Sequence, residues 1–168
     1  MAPPVCGEVA AALAKAGTEV GARVHRGGTY ICIEGPQFST KGESEVYRRW
    51  GMSIIGMTNM PEAKLAREAE LCYATLALVT DYDVWHEEHD AVTVETVVAN
   101  LMKNVATAKE VLRRVIPSVP ASCAQGCSDA LKSAIISDPR AFPSGTRKKL
   151  ALLLDRYFPR GTKARRRG

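Results

Sequence analysis

Short apolar runs alternate with amphipathic segments over the first half of the chain. Residues 29–33, 53–57 and 73–80 are apolar, with many β-branched or aromatic side chains in the first two runs, a composition typical of buried strands. Residues 39–51 and 61–70 between them have the composition and end signals of helices. This alternation predicts an α/β fold with a mixed or parallel sheet whose faces are covered by helices.

Both predicted helices carry recognisable end signals. Thr40 and Glu43 have the spacing of a capping box, and Gly51 is placed to end the first helix. Pro61 stands at the expected first position of the second helix and is followed by Glu62, an acid in the first turn. These signals predict both helices from local sequence alone.

Three helices are predicted beyond residue 92. From Thr93 to about Ile116, just before Pro117, apolar residues recur every three or four positions and predict one long amphipathic helix. Two further helices are predicted over residues 128–137 and 144–158, as a carboxy-terminal extension. The apolar face of the long helix is predicted to consist of Val94, Val97, Val98, Leu101, Val105, Ala108, Leu112 and Val115.

Two acidic residues directly follow the third predicted strand. Asp81 and Asp83 are separated by Tyr82, so an extended backbone would point both carboxylates to the same side. In an open α/β sheet, ligands bind beyond the carboxyl ends of the strands. Asp81 and Asp83 are therefore candidate catalytic residues, and the alternative is that one of them caps a turn or the next helix.

An aromatic residue is predicted to lie at the same edge of the sheet. The dipeptide Gly35-Pro36 favours a tight turn after the first strand, and Phe38 follows it. An aromatic face beside carboxylates suits a planar heterocycle, which it can stack while the carboxylates bind its edge. The local pattern fits a hydrophobic staple before the helix equally well.

Three short blocks form a pattern that is specific enough to indicate a family. They are residues 34–39 (Glu-Gly-Pro-Gln-Phe-Ser), residues 57–69, which begin Met-Thr-Asn-Met-Pro-Glu, and residues 80–85 (Thr-Asp-Tyr-Asp-Val-Trp). In order and in spacing they resemble the later part of the 5'-methylthioadenosine phosphorylases, members of the trimeric purine nucleoside phosphorylase family. The resemblance extends from about Gly27 to Pro120, and more loosely to either end.

The resemblance implies a reaction without a cofactor, in which phosphate is a co-substrate. Phosphate attacks the anomeric carbon of 5'-methylthioadenosine, and adenine leaves while 5-methylthioribose 1-phosphate forms. Asp81 matches the residue that donates a proton to N7 of the departing purine, and Asp83 matches the acceptor for its 6-amino group. Asp81 must be protonated for this role, which desolvation and the neighbouring carboxylate would favour.

The resemblance also assigns the substrate-binding residues. Phe38 matches the residue that packs on base and sugar, Met57 the residue under the ribose, and Thr58 a phosphate contact. The wall around the 5'-methylthio group is implied to consist of Val94, Val97 and Val98.

Two phosphate-binding elements of the family and one interface residue have no counterpart in these 168 residues. The Gly-rich loop, an Arg-His pair and a histidine contributed across the trimer interface all precede the position that matches Met1. We therefore expect residues 1–120 to form the carboxy-terminal half of a phosphorylase domain, with most of the phosphate site lacking. Residues 121–158 would form the helical extension and residues 159–168 a basic, disordered tail.

Three hypotheses about function remain open at this point. The first is a methylthioadenosine phosphorylase, a homotrimer when complete, acting on a small nucleoside and phosphate. The second is an inactive fragment that binds adenine nucleosides or assembles with a full-length copy. The third is a 6-oxopurine nucleoside phosphorylase, which Asp81 disfavours because relatives with that preference tend to have asparagine there.

Charge does not indicate nucleic-acid binding. The formal net charge is +5, and an equal number of positive charges lies in the tail at Arg160, Lys163, Arg165, Arg166 and Arg167. The tail lacks an aromatic platform for bases, so we expect no specific nucleic-acid partner. Residues 1–21 contain no long apolar segment, and we expect a cytoplasmic protein without a membrane partner.

Two further patterns fail as metal sites on spacing. The residues of 86–89 (His-Glu-Glu-His) place the histidines three apart, which differs from the zinc-protease pattern, and we interpret them as a polar loop over the site. Cys123 and Cys127 are four apart, and the five cysteines are expected to be free thiols. From spacing alone we expect no metal.

Overall fold

The computed structural model describes residues 3–84 and 94–159 of the chain. The predicted loop at residues 86–89 and the predicted tail from residue 160 onward lie outside the described residues. The described part contains a short parallel sheet with helices around it, which confirms the predicted α/β class. Its first six elements are α1 (Gly7–Glu19), β1 (Tyr30–Cys32), α2 (Lys41–Arg49), β2 (Ile54–Gly56), α3 (Met60–Glu68) and α4 (Val94–Val115).

Strands β1 and β2 pair in parallel, and α2 crosses from one to the other. Tyr30 lies opposite Ile54, and Cys32 lies opposite Gly56. The backbone N–H of Ile33 donates to the Gly56 carbonyl at 2.9 Å and extends the pairing by one residue. Both strands were predicted, and each is shorter than its apolar run.

The prediction of a third strand at residues 73–80 is wrong. The structure has no strand there, and side chains form hydrogen bonds with the backbone of this segment. The amide side chains of Asn104 and Asn100 donate to the Val79 and Thr80 carbonyls at 2.7 and 2.8 Å. An apolar run becomes a strand only where another backbone pairs with it, and here helix side chains bind these carbonyls instead.

The ends of α2 and α3 follow their local sequence signals. The Thr40 hydroxyl accepts from the Glu43 N–H at 3.3 Å, and the Thr40 N–H donates to the Glu43 carboxylate at 2.7 Å. The same Thr40 N–H and hydroxyl hold the pKa of Glu43 below its usual range. Gly51, at φ 78°, follows the end of α2, and Pro61 lies in the first turn of α3. The capping box and the proline start are confirmed.

A small apolar core joins the two longest helices. Leu13 and Ala16 of α1 pack with Val111 and Val115 of α4, and all four residues are buried. The predicted apolar face of α4 is therefore only partly correct. Val111, which the prediction omitted, is the best buried residue of the helix, while Val94, Val98, Leu101 and Leu112 of the predicted face remain exposed. Among the described residues, the core contacts between α1 and α4 lie in the carboxy-terminal half of α4.

The carboxy-terminal extension is less helical than predicted. Residues 128–137 form no α-helix; the extension instead has 3-10 turns at Cys127–Asp129 and Pro139–Ala141. The physical reason is that side chains from elsewhere bind this backbone. Arg156 donates to the Ser128 carbonyl, and the Leu131 N–H donates to Glu70 at 2.9 Å. The predicted helix 144–158 divides at Leu150 into α5 (Ser144–Lys149) and α6 (Ala151–Leu154).

Glu70 fixes the extension to the α/β part. Its carboxylate accepts from Arg156 at 3.0 Å and from the Tyr157 hydroxyl, and Arg156 also pairs with Asp129 at 2.9 Å. Burial raises the pKa of Glu70, but the hydrogen bonds from Tyr157 and Leu131 and the charge of Arg156 lower it more, so it lies below its usual value. The ionised carboxylate is therefore the form that holds the extension in place.

Two further sequence-based expectations concern the cysteines and membrane-spanning helices. All five cysteines are free thiols, as predicted. Within residues 3–84 and 94–159, no helix has both the length and the apolar character needed to cross a bilayer.

Candidate functional site

The carboxyl ends of β1 and β2 lie at one edge of the sheet because the strands are parallel. The turn after β1 and the residues after β2 therefore meet there. A Cβ added to Gly35 would lie 2.8 Å from the Met57 sulfur, so the Met57 side chain lies directly against the backbone of this turn. The Cys32 thiol donates to the Thr58 carbonyl. The structure thus places Met57 and Thr58 beside the turn that leads to Phe38.

The backbone next to Thr58 is strained. Asn59 has φ 83° and ψ −53°, and the Met60 N–H donates to the Thr58 carbonyl at 3.1 Å, which is a γ-turn of the rare form. Such a residue costs about 1–3 kcal/mol and persists where neighbouring contacts hold it. Here the Asn59 side chain accepts from the hydroxyl groups of Tyr73, at 2.9 Å, and Thr75. These contacts hold the strained turn, and the turn in turn fixes the position of Thr58 just before α3.

Asp83 is held by α2. The hydroxyl of Ser44 donates to its carboxylate at 2.5 Å, and the Val84 N–H donates to its other oxygen at 2.9 Å. Ser44 is only 1% exposed, so this bond is shielded on the helix side. Asp83 is half-buried. The structure therefore gives Asp83 a fixed orientation, with α2 directly following the Phe38 turn.

Asp81 lies in a different environment. It is exposed, and the Thr80 hydroxyl donates to it at 2.5 Å. The backbone before it is held by Asn100 and Asn104 of α4, one turn apart on one face of that helix. The structure positions Asp81 from α4 and Asp83 from α2, with different burial, and shows no bond between the two carboxylates among the described residues.

The apolar residues assigned to base and thioether binding are mostly open. Phe38 is 86% exposed, Val94 is 73% exposed and Val98 is 50% exposed, while Val97 and Met57 are half-buried. Val97 precedes Asn100 by three positions and so lies on the face of α4 that contacts the Asp81 segment. Of the three valines, Val97 has the position that best fits a pocket wall.

Phe38 borders a cavity of about 290 Å³ on the α2 side of this edge. The hydroxyl of Ser39 is buried and has no hydrogen-bond partner within the described residues. The cavity is formed by Ile33, Glu34, Gln37, Phe38, Ser39, Glu43 and Tyr47.

Sequence reasoning missed the residues that orient the candidate site. Ser44 lies within the predicted helix 39–51, and nothing local marks it as a partner of Asp83. Asn100 and Asn104 carried a usable signal, since two amides four residues apart on an otherwise apolar face suggest a polar contact. Asn59 also carried one, because asparagine is enriched at positive φ.

If Asp83 binds the 6-amino group of a purine, as the resemblance implies, replacing Ser44 with alanine should weaken adenine binding about tenfold. The change removes the only described side-chain donor to Asp83, which orients its carboxylate. A hydrogen bond to a charged group contributes about 1.5–3 kcal/mol. Isothermal titration with adenine measures the effect. Ser118→Ala, which removes a local bond to the Val115 carbonyl at the far end of α4, is the matched control. Equal affinity in the two variants would contradict the assigned role.

Comparison with known proteins shows which family the chain belongs to. Residues 1–117 match the Phosphorylase superfamily. The chain is 52% identical over 155 residues to S-methyl-5'-thioadenosine phosphorylase of Koribacter versatilis, covering 92% of this chain and 53% of that protein. It is 53% identical over 159 residues to the enzyme of the same name from Gloeobacter violaceus, with the same coverage of 92% and 53%. The chain spans about half the length of these curated relatives.

Solved structures agree with the sequence relatives. A methylthioadenosine phosphorylase from an Antarctic soil metagenomic library superposes with a TM-score of 0.82 at 46% identity, covering 92% of this chain and 55% of that one. The methylthioadenosine phosphorylase of Schistosoma mansoni in complex with adenine gives a TM-score of 0.68 at 30% identity, covering 79% and 52%. This chain therefore belongs to the phosphorylase superfamily, and its sequence and fold relate it to the methylthioadenosine phosphorylases.

Proposed function

We propose that this chain carries the purine- and thioribose-binding half of a methylthioadenosine phosphorylase site. The observation that supports this most is the identity of about half of all aligned residues with enzymes of that name, combined with the meeting of Met57, Thr58 and the Phe38 turn at one sheet edge. The proposed reaction is phosphate-dependent cleavage of 5'-methylthioadenosine to adenine and 5-methylthioribose 1-phosphate.

The two carboxylates have different roles in the proposed reaction. As the glycosidic bond breaks, electron density moves onto the purine, and protonated Asp81 donates a hydrogen to N7 to stabilise the departing base. Asp83 accepts from the 6-amino group, with its orientation fixed by Ser44. Asp81 is exposed in this chain. In the proposed complex the bound purine covers Asp81 and excludes water from it.

Phosphate and sugar are bound on the β2 side of the proposed site. Met57 lies under the ribose, Phe38 packs on base and sugar, and Thr58 contacts phosphate with its hydroxyl. Val94, Val97 and Val98 border the methylthio group. Thr58 alone provides no charge, and charge-assisted contacts contribute most of the affinity for phosphate. The proposal therefore requires further phosphate ligands from outside these 168 residues.

Assembly and location are part of the same proposal. A complete site is proposed to form in a homotrimer, in the cytoplasm, without cofactor or metal in the reaction. The substrates are the nucleoside and phosphate, and no nucleic-acid partner is proposed.

The test is adenine release from 5'-methylthioadenosine, followed by chromatography with and without phosphate. The chain is assayed alone and after co-expression with the amino-terminal half of the Koribacter versatilis relative. We expect phosphate-dependent release from the co-expressed pair and little from the chain alone, because the pair restores the missing phosphate ligands. Thr58→Val should raise the phosphate concentration needed for half-maximal release.

The other outcomes distinguish the alternative functions. Release of hypoxanthine from inosine in preference to adenine from methylthioadenosine would favour a 6-oxopurine phosphorylase. Adenine binding without release in either preparation would favour an inactive module that binds nucleosides. The absence of both binding and release, from protein shown to be folded by circular dichroism, would contradict the proposal.

A further inference from the structure

Four of the five cysteines, none of them assigned to the candidate nucleoside site, meet at one point of the fold. The sulfur atoms of Cys6, Cys72, Cys123 and Cys127 all lie within 4.8 Å of one another. The sulfur atoms of Cys6 and Cys123 are 3.8 Å apart, although these two residues are 117 positions apart in sequence. Cys32 does not belong to the cluster, since its thiol donates to the Thr58 carbonyl. We propose that these four cysteines bind one zinc ion.

The geometry fits tetrahedral coordination by four thiolates. With Zn–S bonds of about 2.3 Å, the sulfur atoms of such a site lie about 3.8 Å apart, which is the Cys6–Cys123 distance. A regular tetrahedron with edges of 4.8 Å, the upper limit in the cluster, has its centre about 2.9 Å from each vertex. Each sulfur would therefore move inward by at most about 0.6 Å on binding.

The cysteines come from three segments that the structure already holds together. The Cys6 N–H donates to the Tyr73 carbonyl at 2.7 Å and so joins the start of α1 to the segment after α3. The Gly7 N–H donates to the Gln125 side chain at 2.7 Å, and the Ala124 N–H donates to Glu8 at 3.0 Å. These bonds place the four thiols before any ion binds, so little ordering is needed.

The loop that supplies the last two ligands has the features of a metal-binding turn. Three residues separate Cys123 from Cys127. This spacing is longer than the Cys-x-x-Cys pair whose absence led to the expectation of no metal, but it lies within the range of about two to four residues between paired zinc ligands. The Gln125 N–H points at the Cys123 sulfur at 3.4 Å, and Gly126 adopts φ 69° within the turn. A backbone N–H directed at a sulfur favours the thiolate form that binds metal.

The chemistry of the donor set favours zinc. Soft thiolate ligands in tetrahedral geometry favour Zn²⁺ over harder cations such as Mg²⁺ and Ca²⁺. A site with four protein ligands has no open position for substrate and is structural. The expectation from spacing was that no metal binds, and this proposal departs from it because two of the ligands are remote in sequence from Cys123 and Cys127.

The consequence of zinc binding is a cross-link between three segments that are remote in sequence, from position 6 to position 127. The ion would join α1 and the segment after α3 to the extension that begins beyond α4, in the same region where Glu70 pairs with Arg156. Closing such long loops restricts the unfolded chain most strongly. Zinc is proposed to hold the extension in place, independently of the catalytic proposal.

The first experiment measures metal in the untagged 168-residue chain, purified with a phosphine reductant and dialysed against metal-free buffer. Mass spectrometry of the elements is expected to give about one zinc per chain. A mercurial thiol reagent should release that zinc to a colorimetric indicator. After exchange with Co²⁺, ligand-to-metal charge-transfer bands of an intensity typical of four thiolates, with tetrahedral d–d bands in the red, are expected.

Matched variants identify the ligands. Cys72→Ser removes the most exposed thiol of the cluster without opening the core, and it should lower bound zinc at least tenfold. Cys32→Ser removes the one cysteine outside the cluster and should leave the zinc content unchanged. Zinc that persists in Cys72→Ser would overturn the assignment.

The unmodified chain also gives results that overturn the proposal, whatever the folding of the variants. Metal-free protein with five titratable thiols would do so, as would disulfides within the cluster under the same reductant. Stoichiometric iron or another metal in place of zinc would overturn the choice of ion.

Discussion

Replacing Asp81 with alanine is expected to lower phosphate-dependent adenine release from 5'-methylthioadenosine by about 100- to 10,000-fold, the range for loss of a general acid. The donor to N7 acts as the glycosidic bond breaks, so kcat and kcat/KM should fall together. The measurement is steady-state kinetics on whichever preparation, the chain alone or the co-expressed pair, releases adenine. Asp83 cannot compensate, because Ser44 holds its carboxylate from α2.

Two further variants sharpen this prediction. Asp81→Asn keeps an N–H donor but loses the proton that can be transferred, and it should shift the ratio of activities toward 6-oxopurine nucleosides. Asp138→Ala removes an exposed acid that pairs with Arg140 at 2.6 Å in the extension, and it serves as the control for loss of a carboxylate. Activity of Asp81→Ala within threefold of the Asp138→Ala control would show that Asp81 is not the donor to N7.

Replacing Val97 with threonine is expected to lower the selectivity for 5'-methylthioadenosine over adenosine about tenfold. Threonine has nearly the shape of valine, so the change places a hydroxyl at the proposed thioether wall without altering its volume. An apolar pocket discriminates such groups by about 1–3 kcal/mol, or about 10- to 200-fold. The ratio of kcat/KM values for the two nucleosides measures the change.

A control on the same helix separates pocket effects from effects on the helix. Met102 of α4 is 67% exposed and lies on a different face from Val97. Met102→Thr should therefore leave the ratio unchanged. A ratio that moves equally in both variants, or in neither, would contradict the placement of Val97 in the thioether pocket.

Local signals in the sequence were reliable where the interactions they predict are local. The Thr40–Glu43 capping box and the start of α3 at Pro61 form as expected, because each depends on residues within one helical turn. The parallel pairing of β1 and β2 was also predictable, because a crossover helix between two adjacent strands permits little else.

Predictions that depended on distant partners failed. Residues 73–80 have the composition of a strand, yet Asn100 and Asn104 bind the carbonyls at its end. Residues 128–137 have the composition of a helix, yet Glu70 and Arg156 bind its backbone. In both segments a side chain more than 20 residues away competes for backbone groups, and composition carries no information about that competition.

The same contrast between local signals and remote contacts applies to the candidate site. Asp81, Asp83, Phe38, Met57, Thr58 and the three valines were named from motifs, and their functional roles stay predictions. The structure added Ser44 as the partner of Asp83, which no local pattern indicates, and the strained turn at Asn59, for which the residue type was the only signal. It also showed how unequal the environments of the two carboxylates are.

The sequence by itself determined the family, the α/β class, where α2 and α3 begin, and which residues are available for chemistry. These follow from motif spacing, apolar periodicity and capping, all of which act over a few residues. Only the tertiary structure decided that residues 73–80 form no strand, how the extension is held, and that four cysteines spread from position 6 to position 127 meet within 4.8 Å. The physical reason is that contacts between remote segments depend on the path of the whole backbone, which no local pattern encodes.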